Sequence, residues 1–483
     1  MNGQGERLER CAASMGSITA AIVLAVATWA MPLHAQDSGS DSAPAETGTD
    51  SSATEPSAES SDQSNSEQSE AQPADEQEQS PEDVELRDPS ELAPGTRFHA
   101  TLDLTGNYTT NFFYSNADEQ GVWGWWLTPK LMYASSSPRF RSTTTAGMTA
   151  AWYSLAGTTD DYRDYFGTTN ASWKIAPDHR VGYDIALNAG HDPFGLVRTE
   201  ENGAVSRSLD RWQSERYQLE YRYGAPRASL AIENKAIVAN KTYRTNRDVP
   251  AGQGFGTSYL DNDTETWESL FLYQYSPKTH GLLDLVTSHV HFDKDFPLAG
   301  GGFLSRDAQE YRLRAGVRWI ATSKTTGDFR IGYMTRHFSQ SILQGGQSVH
   351  PYNRLDWVIT GDWTPFTRTS LQLQTGKQSV ESYNEALFID TTYVNVTWRQ
   401  EWTRRLSSSA RGGFNYGDFV YFQGGAQVGG RRDKNYTLDL RVDYRLMPRL
   451  NVYAGYGLDN RSSSFGDFDY DRNTIYFGLQ ASY

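Results

Sequence analysis

Residues 471–483 read DRNTIYFGLQASY, and their alternation decides the fold. Ile475, Phe477, Leu479, Ala481 and Tyr483 fall on one phase; Thr474, Tyr476, Gly478, Gln480 and Ser482 fall on the other. Successive side chains of a β-strand point to opposite faces, so this pattern predicts a strand with one apolar and one wet face. An end this regular, stopping on an aromatic, is unlike a frayed soluble tail.

The same pattern recurs upstream. EYRLRAGVRWI (310–320) sets Tyr311, Leu313, Ala315, Val317 and Trp319 against Glu310, Arg312, Arg314, Gly316 and Arg318. In NYTLDLRVDYRLM (435–447), Tyr436, Leu438, Leu440, Val442 and Tyr444 oppose Asn435, Thr437, Asp439, Arg441, Asp443 and Arg445. TYVNVTWRQEW (392–402) sets Val394, Val396 and Trp398 against Asn395, Thr397 and Arg399. From Arg97 onward there are eighteen such runs and no helical stripe of useful length. Two kinds of connection alternate between them. The short kind (SSSPR, APDH, YGAPR, SPK, TSK, TPFTR, TRR, MPR) contains proline in six of eight cases, and proline presets a turn and ends a strand. The long kind is polar and rich in Gly, Asp and Asn, as in GHDPFGLVRTEENGAVSRSLD.

Just before each short turn stands a Trp or Tyr: Tyr133, Trp173, Tyr223, Tyr275, Trp319, Trp363, Trp402 and Tyr444, with Tyr483 ending the series. Their spacing is 39 to 52 residues, one hairpin each. A level ring of aromatics is what a membrane–water interface selects, and a soluble all-β repeat has no reason to place one in every second strand. The expected fold is therefore all-β: a closed antiparallel transmembrane barrel of about eighteen strands, lipid outside and a polar lumen inside. Closure is required because an open sheet edge in hydrocarbon leaves backbone groups unpaired.

Charge divides the chain unevenly. GERLERCAAS followed by MGSITAAIVLAVATWAMPL and HAQD reads as a secretory signal over residues 1–35, cut after Ala35, with an uncleaved anchor as the alternative. The single cysteine, Cys11, lies within it, so disulfides and cysteine-bound metals are not expected in the mature chain. Residues 36–95 are rich in Ser, Glu and Gln and carry seventeen carboxylates against one arginine; such a segment cannot bury enough apolar surface to order itself and is expected to be a disordered acidic linker. The net charge of −15 belongs to that linker, and residues 96–483, the barrel, sum to about +1.

The wet phases nominate lumen-lining residues. Arg312, Arg314, Arg318, Arg330 and Arg336 share the inward phase of neighbouring strands, with only Glu310 and Asp328 to offset them locally, and Arg399, Arg441 and Arg445 join them elsewhere. If these line open water they form a basic stripe that attracts anionic sugars, while Tyr393, Tyr453 and Tyr476 offer flat faces to sugar rings. The alternative is that the arginines are structural, satisfied by carboxylates. No nucleophile–histidine pattern, Gly-rich phosphate loop or basic nucleic-acid tract stands out, so no enzyme, cofactor or nucleic-acid partner is expected. His289 and His291 in HVHFD, two apart on one strand with Asp293 beyond, and the acidic stretches TTDDYRDY, LDNDTE and GDFDYD, read as rim chemistry rather than metal sites.

Three stretches carry a family resemblance: NRLDWVITGDWTPFTRTSLQLQTGKQSVES (353–382), FIDTTYVNVTWRQEWTRRLSSSARGGFNYGD (388–418) and FGDFDYDRNTIYFGLQAS (465–482). Together they resemble the β-barrel porin type 2 family, strongest over residues 350–483 and extending back to about residue 97. The resemblance implies an outer-membrane barrel of a Gram-negative bacterium and suggests passage of polysaccharide in exopolysaccharide or capsule production; it brings no catalytic or binding residues with it. The expected function is a passive pore linked to polysaccharide export. The rivals are a general or sugar-selective diffusion porin, a barrel enzyme, and an adhesin-like structural barrel. Expected partners are outer-membrane lipid and lipopolysaccharide, the barrel-assembly machinery through the C-terminal strand, and anionic polysaccharide. An even strand number puts both termini on the short-turn, periplasmic side.

Overall fold

The computed structural model describes residues 95–117, 119–154, 161–200, 208–225, 228–248, 255–298, 302–322, 324–340, 349–421 and 430–483. The signal expected over 1–35 and the acidic linker expected over 36–95 lie outside them, apart from Gly95, where the first strand begins.

The strands run β1 (Gly95–Thr109), β2 (Val122–Ser136), β3 (Phe140–Tyr153), β4 (Tyr162–Ala176), β5 (His179–Asp192), β6 (Asp210–Tyr223) and β7 (Leu230–Tyr243). Then come β8 (Asn262–Ser276), β9 (Thr279–Phe292), the two-residue β10 (Phe296–Pro297) and β11 (Phe303–Leu304), β12 (Ala308–Thr322), β13 (Thr325–Phe338) and β14 (Tyr352–Phe366). The last six are β15 (Thr369–Val380), β16 (Phe388–Glu401), β17 (Leu406–Val420), β18 (Arg432–Met447), β19 (Leu450–Ser463) and β20 (Tyr470–Ser482). β10 and β11 form a separate small hairpin inside one long connection; the other eighteen make one antiparallel sheet.

That sheet is closed. β20 pairs with both β19 and β1, with Leu104 opposite Leu479 and Tyr108 opposite Ile475. The last residue completes the seam: the Tyr483 amide donates to Ala100 O at 2.8 Å, and the Ala100 amide donates to Tyr483 O at 2.9 Å. No backbone edge is left for hydrocarbon to expose, which is the condition for spanning a bilayer with strands.

The period-two reading fixes which way each strand faces. Ile475, Phe477 and Leu479, and across the seam Leu102 and Leu104, are exposed on the outside, as are Tyr311, Leu313 and Val317 of β12. The nine aromatics beside the short turns all lie on this outward phase; eight are exposed, and Trp319 is half-buried. A departure from the simple pattern occurs on β7–β9, where the inward phase carries Ala231, Leu270, Leu272 and Leu282, buried together as an apolar patch.

Candidate permeation path

The eleven residues nominated for the lumen all fall on the inward phase, but their surroundings differ from a free basic stripe. Cross-strand register brings β8, β9, β12, β13 and β14 together as a charged lattice. Arg314 donates from Nε to Asp284 at 2.9 Å and reaches Asp356 at 3.4 Å. Arg330 holds the same Asp284 at 2.8 Å, Asp328 at 2.9 Å and Glu268 at 3.4 Å. Arg318 donates to Asp328 at 3.1 Å, Arg312 pairs with Glu310, and Arg336 reaches Glu310 at 3.6 Å and Glu381 at 2.9 Å. Arg354, which sequence reasoning passed over, sits 3.5 Å from Asp356 and 3.1 Å from Asp390.

The local charge balance expected from the sequence is therefore corrected. Besides Glu310 and Asp328, the inner wall supplies Glu268, Asp284 and Asp356, and the β15–β16 connection supplies Glu381. Asp284 and Asp356 are completely buried, and Arg314, Arg330 and Arg336 are nearly so. Removing a charge from water costs several kcal/mol, and only a close, multiply hydrogen-bonded counter-charge offsets that cost. Guanidiniums in this setting are braced against the wall by carboxylates from neighbouring strands. The signal was present in the sequence, since LLDLV puts Asp284, the one charged residue of an apolar run, on the inward phase between Leu282 and Val286.

A second group lies at the seam. Arg441 chelates Asp443 through Nε at 3.1 and 3.0 Å and stacks over the Tyr453 ring at 3.8 Å. The Tyr453 hydroxyl donates to Asp103 at 2.6 Å and meets the Thr105 hydroxyl at 2.5 Å, while Tyr476 donates to Asp439 at 2.7 Å. Tyr453 is buried and capped by Arg441, so it offers no flat face to a sugar. Tyr393 and Tyr476 are half-buried, Arg399 is half-buried, and Arg445 is exposed near the short-turn end.

The long connections were read as polar, yet they bring an apolar core into the mouth at their end of the barrel. Tyr114 (β1–β2), Leu196 and Val197 (β5–β6), Leu260 (β7–β8), Tyr383 and Ala386 (β15–β16) pack together with Phe419 and Tyr470 at strand ends. Phe296 and Leu304 of the small hairpin join Leu387 and Phe388 in a second cluster. Polar clasps hold these loops. Glu200 accepts from both terminal nitrogens of Arg431 at 2.6 Å, from Arg461 at 2.6 Å and from the Tyr383 hydroxyl at 3.2 Å. The β5–β6 and β17–β18 connections that supply Glu200 and Arg431 have eight strands between them one way round and ten the other. The contact must therefore cross the mouth rather than follow the wall.

Burial alone would lower the charge affinity of Arg431, but Glu200 and Asp433 reverse this and push its pKa well up. Burial, with Glu200 adding to it, raises the Tyr383 hydroxyl. Arg306, from the β11–β12 connection, is almost completely buried; it donates to the carbonyls of Ser382 and Tyr259 and lies over the rings of Phe292 and Phe296 at 4.0 and 4.9 Å. Burial pushes its pKa down to about 10, so it stays cationic at neutral pH. None of Glu200, Arg306, Arg431 or Arg461 was found from sequence: the first three stand on connections with no periodicity to give their side chains a direction, and Arg461, near the end of β19, meets Glu200 only through the loop that carries that glutamate.

His291 and the LDNDTE stretch have structural occupations too. His291 Nδ1 sits 2.8 Å from Asp307, and Asp261 accepts the Tyr243 amide at 2.7 Å and pairs with Arg247 at 2.7 Å. Among the described residues no group of three or more metal-ligating side chains occurs.

No curated protein matches the chain. Among solved structures, it is similar to the FrpB iron transporter from Neisseria meningitidis (F5-1 variant), with 10% identity and a TM-score of 0.40 over 81% of this chain and 83% of that one. It is also similar to Acinetobacter baumannii OccAB4, with 11% identity and a TM-score of 0.39 over 82% of this chain and all of the other. Residues 98–483, nearly the whole described barrel, match the family described as "Putative beta-barrel porin 2", and the chain belongs to that family of outer-membrane β-barrels.

Proposed function

We propose that the chain forms a passive outer-membrane conduit for hydrophilic solutes, with anionic polysaccharide as its cargo and both termini in the periplasm. The observation that carries this reading is the polar inward phase of the wall, dense in guanidiniums on β12–β14, in a barrel of a size that leaves an aqueous interior unless loops fill it. The loop core at the mouth acts as a constriction that sets the size limit. No catalytic role is assigned. The outward face, with its aromatics beside the short turns, suits lipid and lipopolysaccharide, and the terminal strand with Tyr483 is offered to the assembly machinery.

A second reading, a diffusion porin for neutral sugars, is favoured by the pairing of each β12–β14 arginine with carboxylates, which cancels much of the field that would attract anions. Reconstitution in planar bilayers separates the two. A conduit for anions shows an anion-side reversal potential that shrinks with salt and on Arg314→Glu with Arg318→Glu. A reversal potential at zero in the wild type supports the neutral-sugar porin, and a folded barrel with no conductance overturns both.

A further inference from the structure

Every strand of the large sheet has two neighbours, but one ladder stops well short of its strands' ends. β14 and β15 pair from Phe366–Thr369 up to Val358–Gly376 and no further. Above that rung, Tyr352 to Trp357 of β14 and Lys377 to Val380 of β15 run on without pairing to each other. On their other sides the same residues stay in register, Tyr352 with Arg336 and Val380 with Ile389. The freed end of the β15–β16 hairpin turns into the mouth. Phe388, Ile389, Asp390 and Thr391 are buried in succession, so both faces of β16 are covered there. Ser379 and Asp390 continue the lipid-facing phase of Leu373 and Val396, yet they touch the inner wall. Ser379 donates to Glu310 at 2.6 Å; Asp390 accepts from the Tyr352 hydroxyl at 3.0 Å and pairs with Arg354 at 3.1 Å. Lys377 donates to the same Asp390 at 3.1 Å. Side chains converging on one carboxylate therefore hold the hairpin end behind β12–β14, where backbone pairing has ceased.

We infer that this split in the wall is a lateral portal, through which an amphiphile with an alkyl tail and an anionic head passes between pore and membrane. Backbone left unpaired at membrane depth is tolerated only against protein or a water-filled cavity, so the free rungs look onto the tucked hairpin while it is in place. Its ties are side-chain contacts, which break without undoing a ladder; its withdrawal opens a path at the height of the split. The two sides of that path suit the two ends of an amphiphile. Leu355 and Leu373 are exposed on the lipid face beside it. On the pore side, the Nε–H groups of Arg312, Arg336 and Arg354 are buried without a hydrogen-bond acceptor among the described residues. A guanidinium donor left over in this way is what a phosphate or carboxylate oxygen takes up.

The test places the full chain in nanodiscs, with the photo-crosslinker p-benzoylphenylalanine at Val358, on the inward phase at the last rung. Dodecyl phosphate is the probe, and its adduct is read by mass spectrometry, independently of conductance. The adduct forms at Val358 and not at Gln218, an inward position where β6 is paired on both sides. Asp390→Ala removes the carboxylate on which the ties converge and raises the yield at Val358 by about tenfold or more, as the open population grows. Tyr352→Phe removes one tie and gives the same direction at smaller size, should Asp390→Ala fail to assemble. If the label at Val358 itself prevents assembly, Gln374 on the inward phase of β15 carries it instead. Equal adducts at Val358 and Gln218 overturn the inference, since the tail would then reach the lumen at large. So does no adduct at Val358 in either wild type or Asp390→Ala. An equal yield with dodecyl maltoside overturns the anionic class of the cargo.

Discussion

Asp284 shows how a single residue organises the wall. It is fully buried and serves Arg314 and Arg330 at once, so its loss leaves two guanidiniums short of a counter-charge in a site with little water. Asp284→Ala is expected to cost about 3–5 kcal/mol, the range for breaking a buried pair from one side, read as a lower urea midpoint of the refolded barrel. Arg445→Ser, at an exposed position on the same inward phase, should change the midpoint by no more than about 0.5 kcal/mol. Similar losses for the two variants would show that the lattice is water-filled rather than buried. The inward direction of both residues was legible in period two. The difference in their burial was not, because it depends on what the neighbouring strands bring.

At the scale of the strand, β19 and β20, the pair beside the seam, fit together by a reciprocal exchange of tyrosine and glycine. Register sets Tyr453 opposite Gly478 and Gly455 opposite Tyr476, and a Cβ built on either glycine would fall inside the facing ring. The glycines make room for tyrosines that lie flat on the wall and reach Asp103 and Asp439. Gly478→Val should therefore destabilise the barrel by about 1–3 kcal/mol through overpacking, and adding Tyr453→Ala should recover part of that loss. A double mutant no better than the single would place the cost elsewhere. The end of the same strand makes a stronger demand. Replacing Tyr483 by Glu puts a charge on the lipid phase at the closing pair with Ala100. It should reduce assembled, heat-modifiable barrel more than removal of a long-loop tip does.

For the whole molecule, the decisive contact is Glu200 with Arg431 and Arg461 across the mouth. Glu200→Arg sets three cations together and should release the β5–β6 connection, giving larger and noisier unitary conductance with the wall intact. Restoring opposite charges with Arg431→Glu in the same chain should bring the conductance part of the way back. Unchanged conductance in Glu200→Arg would mean that the clasp does not limit passage. The acidic residues belong to a different level of organisation. The described barrel begins at Gly95 and is closed by its own strands, so deleting residues 36–90 should leave a folded, heat-modifiable barrel. Failure to fold in detergent would move the start of the barrel upstream.

What the sequence by itself determined is whatever hydrocarbon demands locally. Alternation in stretches such as EYRLRAGVRWI sets strand, facing direction and length, because each residue's side is fixed by its immediate neighbours and by the lipid or water it meets. Proline turns and the aromatic before each turn gave the hairpin count, and with it the eighteen strands of the closed sheet. What only the tertiary structure decided is which charges meet. Glu268 and Arg330 are 62 residues apart, and Glu200 and Arg431 are 231 apart. Partners in the wall depend on strand register around a closed ring, which no single strand encodes. Partners in the loops depend on segments without periodicity, whose side chains acquire a direction only when apolar residues from separate connections bury one another across the mouth.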